Sequence, residues 1–262
     1  MRPSVSLYFH IEQNMVGQVK NIKLVIEYDG TNYSGWQRQY NAITIQQRLE
    51  EAIEKATGEF SPVIGSSRTD AGVHARGFVC NFFTASKIPT SNIKMVLNTL
   101  LPEDIAVLDS KEVDSSFHSR YFTTGKEYSY TIVTGDRPPV IGRQYVYYFR
   151  RKLDIEKIKN SCEYFIGTHD FSAFKKKGST ARSSIRTIKE LTVLKEKNII
   201  KFNIVGDGFL YNMVRIIIGT LLEVGLGRFS IEYVKYILES KDRAKAGKPV
   251  PAKGLCLEKV FY

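Results

Sequence analysis

The stretch Ile22-Lys23-Leu24-Val25-Ile26-Glu27-Tyr28-Asp29-Gly30 begins the folded pattern of this 262-residue chain. Apolar and polar side chains alternate from Ile22 to Tyr28, as in a β-strand with one buried face, and Asp29-Gly30 is a turn signal that ends the strand. Thr44 then opens a helix, because Gln47 stands at the capping-box spacing from it. The apolar stripe of that helix consists of Ile45, Leu49, Ala52 and Ile53.

The pattern continues through the first half of the chain. It predicts strands over Ser61 to Gly65 and Gly77 to Phe83, a helix over Ser91 to Leu100, and a strand starting at Ile105 to Leu108. The resulting order is β-α-β-β-α-β, which is the order of a split β-α-β unit.

The second half repeats this order without obvious sequence identity. The predicted elements are strands Tyr128 to Val133, Ile185 to Val193, Ile199 to Val205 and Leu255 to Phe261, a helix from Asp154 to about Phe165, and helices Gly208 to Val224 and Ile231 to Leu238. The fold is therefore predicted to be α+β, with two ferredoxin-like halves whose antiparallel sheets join side by side and carry helices on one face. We expect an N-terminal extension over 1–20, an N-terminal catalytic half over 21–118 and a C-terminal half over 119–262.

The charge of the chain is unusual for a soluble protein. Lys and Arg number 38 against 27 Asp and Glu, a net charge of +11. Such an excess favours a polyanionic partner, nucleic acid above all, although a basic protein without such a partner fits the count as well. We expect the helix-free face of the sheet to be an RNA platform, with phosphate contacts from a basic run at its rim: Lys175, Lys176, Lys177 and Arg182.

Cysteine and histidine usage predicts no metal site. The three cysteines, Cys80, Cys162 and Cys256, are far apart and odd in number, so we expect reduced thiols and no disulfide framework. The four histidines are scattered as well, without zinc-ligand spacing. The N-terminal apolar stretch Val5 to Ile11 is too short and too polar for a secretory segment, and we expect a cytoplasmic protein with no membrane partner.

The segment that points to chemistry is Arg68-Thr69-Asp70-Ala71-Gly72-Val73-His74-Ala75. Asp70 stands between a basic residue and a glycine turn, where an aspartate can act as nucleophile or acid–base group if its neighbours set its ionisation. A turn aspartate that bonds its own backbone has the same sequence pattern. The spacing alone leaves both interpretations open.

This segment resembles the active-site signature of the tRNA pseudouridine synthase A family. Further segments match that family in the same order: Tyr28-Asp29-Gly30, Gly35-Trp36-Gln37-Arg38-Gln39, Phe117-His118-Ser119-Arg120, Lys126-Glu127-Tyr128-Ser129-Tyr130, Gly208-Phe209-Leu210-Tyr211-Asn212-Met213-Val214-Arg215 and Pro251-Ala252-Lys253-Gly254-Leu255. The resemblance spans about residues 21 to 262. Six ordered matches make it far more specific than any one motif.

The resemblance implies roles for individual residues. Asp70 corresponds to the nucleophile, Tyr128 to the tyrosine that packs on the target base and helps proton transfer, and Arg215 to the arginine that pairs with the nucleophile. A cation beside Asp70 would keep it ionised at neutral pH. Arg68 corresponds to an arginine near the flipped base, where it would fill the vacated stack or hold a phosphate.

Three further residues complete the candidate site. Trp36 and Arg38 are expected to contact RNA, with Trp36 also wedging the sheet, and His74 is a candidate for substrate contact or a structural role. Ser67 stands where many family members carry glycine, which affects the turn but not the assignment of Asp70.

The implied reaction is the isomerisation of uridine to pseudouridine in tRNA, at positions 38 to 40 of the anticodon stem-loop, by a homodimer that uses no cofactor. Three alternatives remain open from the sequence: an RNA-binding protein without catalysis, a hydrolase that uses Asp70, and a pseudouridine synthase for another RNA. A hydrolase would usually need a second carboxylate or a metal cluster, and neither is apparent.

Overall fold

The computed structural model describes residues 19–176, 178 and 181–262. Most of the expected N-terminal extension and Lys177 therefore lie outside the described residues. The strands within these ranges are β1 Lys20–Tyr28, β2 Ile64–Gly65, β3 His74–Thr84, β4 Ile105–Val113, β5 Gly125–Val133, β6 Tyr147–Tyr148, β7 Gly167–Asp170, β8 Ile185–Glu196, β9 Ile199–Gly206 and β10 Leu255–Phe261. The α-helices are α1 Ile45–Thr57, α2 Thr90–Leu100, α3 Ile155–Cys162, α4 Met213–Gly225 and α5 Tyr233–Ser240.

One continuous sheet runs through both halves in the order β4-β1-β3-β10-β5-β9-β8-β7, with β2 on β3 and β6 on β5. In the first half, β4 lies beside β1, β1 beside β3, and β3 beside β2. In the second half, β10 lies beside β5, β5 beside β9, and β9 beside β8. This is the ferredoxin-like order, so the prediction of two such units side by side is confirmed.

The two halves meet at β10. It pairs with β5 along most of its length in the antiparallel sense, and with the start of β3 in the parallel sense at Cys256–His74 and Leu257–Ala75. β2 pairs with β3 farther along, at Cys80 and Asn81. The long strand β3 therefore carries a short strand of its own half and the joining strand of the other half on one edge.

Two predicted helix starts are confirmed at the level of the capping bond. Thr44 Oγ1 accepts the Gln47 N–H at 3.3 Å, and Asp154 Oδ1 accepts the Lys157 N–H at 3.1 Å. The Gln47 side chain donates to Glu51 at 2.8 Å and does not return to the cap, so only half of the capping box forms.

Two predicted boundaries are wrong for physical reasons. The strand predicted over Ser61 to Gly65 is reduced to β2, because Pro62 has no N–H for a ladder and the Val63 N–H donates to the Glu50 carboxylate at 3.1 Å. The helix predicted from Gly208 starts at Met213, after Asn212 adopts a left-handed conformation with φ of 62°. The apolar residues before it form a loop that turns towards β5.

Helix α4 is buried along nearly its whole length and packs closely on the segment before β10. A Cβ on Gly219 would lie 1.8 Å from the carbonyl oxygen of Lys248. The Thr220 hydroxyl accepts the Gly247 N–H at 2.9 Å, and both residues are buried. This contact sets the position of residues 247–250 against the helix.

We expect Gly219→Ala to destabilise the chain by about 1–3 kcal/mol, because the added methyl group must push backbone aside in a packed interior. Urea-induced unfolding measures the change. Glu223→Ala in the same helix is the control, since Glu223 is partly exposed and such positions usually change stability by less than about 0.5 kcal/mol. Equal stability of Gly219→Ala and wild type would contradict this close packing.

Candidate active site

Asp70 lies in the loop that joins β2 to β3, and backbone contacts hold this loop in place. The backbone N–H of Trp36 donates to the Thr69 carbonyl at 3.1 Å, and the Gly72 N–H donates to the Tyr33 carbonyl at 3.3 Å. The hydroxyls of Tyr28 and Thr69 are hydrogen-bonded at 2.8 Å in the interior. The residues on either side of Asp70 are thus tied to β1 and the segment that follows it.

Two glycines of that segment are required by close approach to the Asp70 loop. A Cβ on Gly30 would lie 2.0 Å from the Val73 carbonyl oxygen, and a Cβ on Gly35 would lie 2.5 Å from the Thr69 carbonyl oxygen. Gly35 also has a φ of +88°, which favours glycine. The motifs around Gly30 and Gly35 therefore form the support of the loop that carries Asp70.

Arg215 comes from the other half of the chain and reaches the same point. It lies in the first turn of α4, and its Nη1 is 3.2 Å from Asp70 Oδ2. Its Nε donates to the Val250 carbonyl at 2.7 Å, while the Val250 N–H donates to the Arg215 carbonyl at 3.1 Å. The Asp70 side chain is 26% exposed and the Arg215 side chain 17%. The pair is partly shielded and still open to a ligand.

Burial raises the pKa of Asp70 above its ordinary value, and the charges of Arg215 and Lys176 oppose this shift. The sequence led us to expect that Arg215 would keep Asp70 ionised. The arginine acts in that direction, but desolvation of the carboxylate is the larger effect.

Tyr128 lies on β5 near this pair. Burial raises the pKa of its hydroxyl far above the ordinary value, Ser67 lowers it in part, and the Asp70 carboxylate raises it further. The Phe209 ring meets the Tyr128 ring edge-on, with 5.2 Å between centroids. An aromatic floor, formed by Tyr128 and Phe209, thus lies beside the carboxylate.

Tyr128 shares its side of β5 with Tyr130 and Ile132, because alternate strand residues face the same way. All three are buried. The candidate catalytic residues therefore lie on the covered side of the sheet, and not on the helix-free side where we expected an RNA platform.

Of the basic residues predicted at the rim that the structure describes, only Lys176 is shown to act on Asp70. Lys176 acts on the charge of Asp70 and lies with its Nζ 5.2 Å from the centroid of the Tyr211 ring. Lys175 Nζ donates to Ser184 Oγ at 2.9 Å, and Arg68 and Arg182 are exposed. Arg68 directly precedes the Thr69-Asp70 segment, so its side chain is available to a ligand at the edge of the site.

Three residues that are expected to contact RNA have partners within the protein. Trp36 is 3% exposed and stacks on Phe78 with 4.0 Å between centroids, as a wedge in the interior. His74 is buried: its Nδ1 is 3.1 Å from Gly30 N and 3.0 Å from Asp29 Oδ1, and its Nε2 is 3.0 Å from the Gln144 carbonyl. Arg38 is half exposed, and its Nη1 contacts the buried Glu50 at 2.6 Å.

Sequence reasoning missed the contacts made by Tyr28 and Phe209. The alternation predicted Tyr28 as a strand residue, and the apolar stripe predicted Phe209 as part of a helix. No periodicity indicates such contacts, because they depend on residues distant in the chain. The matching segments around Tyr28 and Phe209 were the one available signal.

The described ranges contain no group of three or more His, Cys, Asp or Glu side chains placed to hold a metal ion. No helix within the same ranges is long and apolar enough to cross a membrane. All three cysteines are free thiols, Cys80 and Cys162 in the interior and Cys256 half-buried. This agrees with the expectation of reduced cysteines.

Comparison with known proteins gives a consistent result. The family model described as tRNA pseudouridine synthase matches residues 24–122 and 161–262. A protein of Clostridium perfringens (strain 13 / Type A) called tRNA pseudouridine synthase A 2 is 54% identical over 93% of this chain and 100% of its own length. The tRNA pseudouridine synthase A of Clostridium acetobutylicum is 53% identical with the same coverage. The solved structure of an H/ACA RNP bound to a substrate RNA containing 2′-deoxyuridine aligns over 90% of this chain and 47% of that one, with a TM-score of 0.40 and 12% identity, a likeness too weak to support an inference.

These sequence matches define an RNA-modifying enzyme of the isomerase class. The chain belongs to the tRNA pseudouridine synthase family.

The raised pKa of Asp70 has a consequence for stability. The fold favours the protonated carboxyl, so this contribution to stability is present below the pKa of the unfolded chain and is lost as pH rises through the pKa of the folded protein. Asp70→Asn, which stays neutral, should therefore unfold at a higher temperature than wild type at pH 7. Thermal unfolding at several pH values should show the difference shrinking as pH falls.

The control for this experiment is Asp136→Asn, which changes an exposed loop carboxylate and should leave the unfolding temperature unchanged. An Asp70→Asn protein less stable than wild type at pH 7 would show that the Arg215 contact outweighs desolvation.

Proposed function

We propose that this chain converts uridine to pseudouridine in tRNA with Asp70 as the nucleophile. The observation that carries this proposal is the Asp70–Arg215 pair at 3.2 Å, partly exposed and next to the buried Tyr128. The reaction breaks the N-glycosidic bond and joins the same uracil to the same ribose through carbon. Product and substrate have the same atoms and the same oxidation state, so we propose that no cofactor takes part.

In this proposal Asp70 must be ionised to attack. Arg215 and Lys176 favour the carboxylate, whereas burial disfavours it and leaves its oxygens poorly solvated and reactive. A single carboxylate is compatible with a covalent bond either to the uracil ring or to C1′ of the ribose. Each route ends with release of the carboxylate and of the proton from uracil C5.

Tyr128 and Arg68 have separate roles in the proposal. Tyr128 presents a ring for the target base, with Phe209 packed edge-on against that ring, and its hydroxyl takes part in proton transfer. Arg68 is exposed immediately before the nucleophile loop. It fills the space left by the flipped base or holds a phosphate, and either role offsets part of the unstacking cost of about a few kcal/mol.

The substrate is proposed to be the anticodon stem-loop, with uridines at positions 38 to 40. The family resemblance supports this site, and the net charge of +11 fits a large polyanion.

We also propose a cytoplasmic homodimer in which one tRNA touches both subunits, and a division into a catalytic half over 21–118 and a second half over 119–262. Sedimentation of the purified chain tests the dimer.

The reaction is tested by tritium release from unmodified tRNA labelled at uracil C5. We expect wild type to release tritium and Asp70→Asn to be slower by at least about a thousandfold, because the nucleophile is removed. Asp136→Asn, in an exposed loop, should match wild type. Activity of Asp70→Asn would refute the nucleophile, and no release by wild type would point to another RNA or to a binding protein.

The basic loop is tested by changing Lys175, Lys176 and Lys177 together to alanine. Binding of tRNA should weaken, and the slope of log affinity against log salt should flatten by about 0.7–0.9 for each phosphate that the loop no longer neutralises. The matched control changes three exposed lysines elsewhere, Lys157, Lys159 and Lys235. A triple variant with the salt slope of wild type would remove the loop from the RNA footprint.

A further inference from the structure

Lys126 lies at the beginning of β5, two residues before Tyr128 and on the same side of the strand. Two residues of a strand span about 7 Å, so the two side chains start from neighbouring positions. Opposite Lys126 on β9 is Gly206, which offers no side chain to cover it. A Cβ on Gly206 would lie 3.1 Å from the Phe209 ring, and Phe209 contacts Tyr128. Lys126 and the Phe209 ring therefore both lie beside Gly206.

The ammonium group of Lys126 is half-buried among other cations. Burial, reinforced by the charges of Arg120 and Arg186, lowers its pKa to about 8, while Asp207 opposes this shift. Arg186 is held in place because its Nη1 donates to the Ser183 carbonyl at 3.1 Å, and its Nε faces Gly208. Lys126 and Arg186 thus lie where the start of β5, the start of β8 and the end of β9 are paired, and the charge of Arg120 acts on the same ammonium group.

One carboxylate does not neutralise this group. Asp207 is exposed, and its Oδ1 already accepts the Thr187 N–H at 3.0 Å. Three positive charges against one negative charge leave the group positive. Like charges gathered in a partly desolvated place raise the free energy of the folded chain unless an anion joins them. The arrangement is therefore that of an anion site.

We propose that Lys126, Arg186 and Arg120 bind a backbone phosphate of the RNA strand next to the nucleotide that enters the site. The inference depends on the proposed function for the identity of the anion, because an RNA whose base rests on Tyr128 carries phosphates close to Lys126. Lys126 and Arg186 are positioning residues here: they hold the strand, and Asp70 performs the chemistry.

The test compares Lys126→Gln with wild type in two assays. In the Asp70→Asn background, which prevents turnover, the Kd for unmodified tRNA should rise roughly tenfold, and the salt slope should fall by about 0.7–0.9. In the otherwise native enzyme, KM should rise while kcat changes little. Arg186→Gln should act in the same direction, and it keeps the proposal testable if Lys126→Gln does not fold. The control is Lys195→Gln, an exposed lysine at the far end of β8.

Titration of Lys126 provides an independent measurement. A bound phosphate favours the protonated ammonium, so tRNA affinity should weaken as pH rises through the pKa of about 8. Lys126→Arg stays charged and should not show this part of the pH dependence. The charged groups that act on Lys126 are Arg120, Arg186 and Asp207.

The outcomes separate this inference from the proposed function. Unchanged Kd and unchanged salt slope in both Lys126→Gln and Arg186→Gln overturn the phosphate site even if wild type releases tritium. Weaker RNA binding by these variants, with no tritium release by wild type, leaves the phosphate site standing and refutes the isomerase assignment for that RNA.

Discussion

The pairing of β10 with two strands is the constraint on which the site depends. β10 runs antiparallel to β5 and parallel to the start of β3, so it connects the halves into one sheet. Asp70 precedes β3 in one half, and Tyr128 lies on β5 of the other. Arg215 is held by Val250, shortly before β10 begins. A carboxylate and a guanidinium from distant parts of the chain therefore meet at 3.2 Å.

The electrostatics of this meeting point work against the stability of the fold. Desolvation of Asp70 outweighs the help of its cationic neighbours, so the fold bears a cost for keeping the carboxylate in its charged form. The cations gathered near Lys126 bear a similar cost. The desolvation of Asp70 and that of Lys126 both occur at the positions proposed to bind a polyanionic substrate. Strain of this kind is expected where a protein acts on a ligand.

Local sequence was a good guide wherever a short-range pattern determines the structure. Alternation located β1 and β5, a side-chain cap located the start of α1 and of α3, and the repeated element order indicated two ferredoxin-like units. It was misleading at Gly208, where apolar residues continue the helical stripe but Phe209 turns to meet Tyr128. It could not give the surroundings of Trp36 and His74, which are buried.

The sequence by itself determined the element order, the two-unit architecture, the basic charge and the short segments that carry the family resemblance, because each depends on composition or on residues close together in the chain. Only the tertiary structure decided which side of the sheet carries Tyr128, that Gly30 and Gly35 support the Asp70 loop, and that Lys126 lies among other cations. These facts depend on contacts between residues that are far apart in the chain. Strand pairing and packing alone establish such contacts, since no local pattern encodes the partner of a side chain across a sheet.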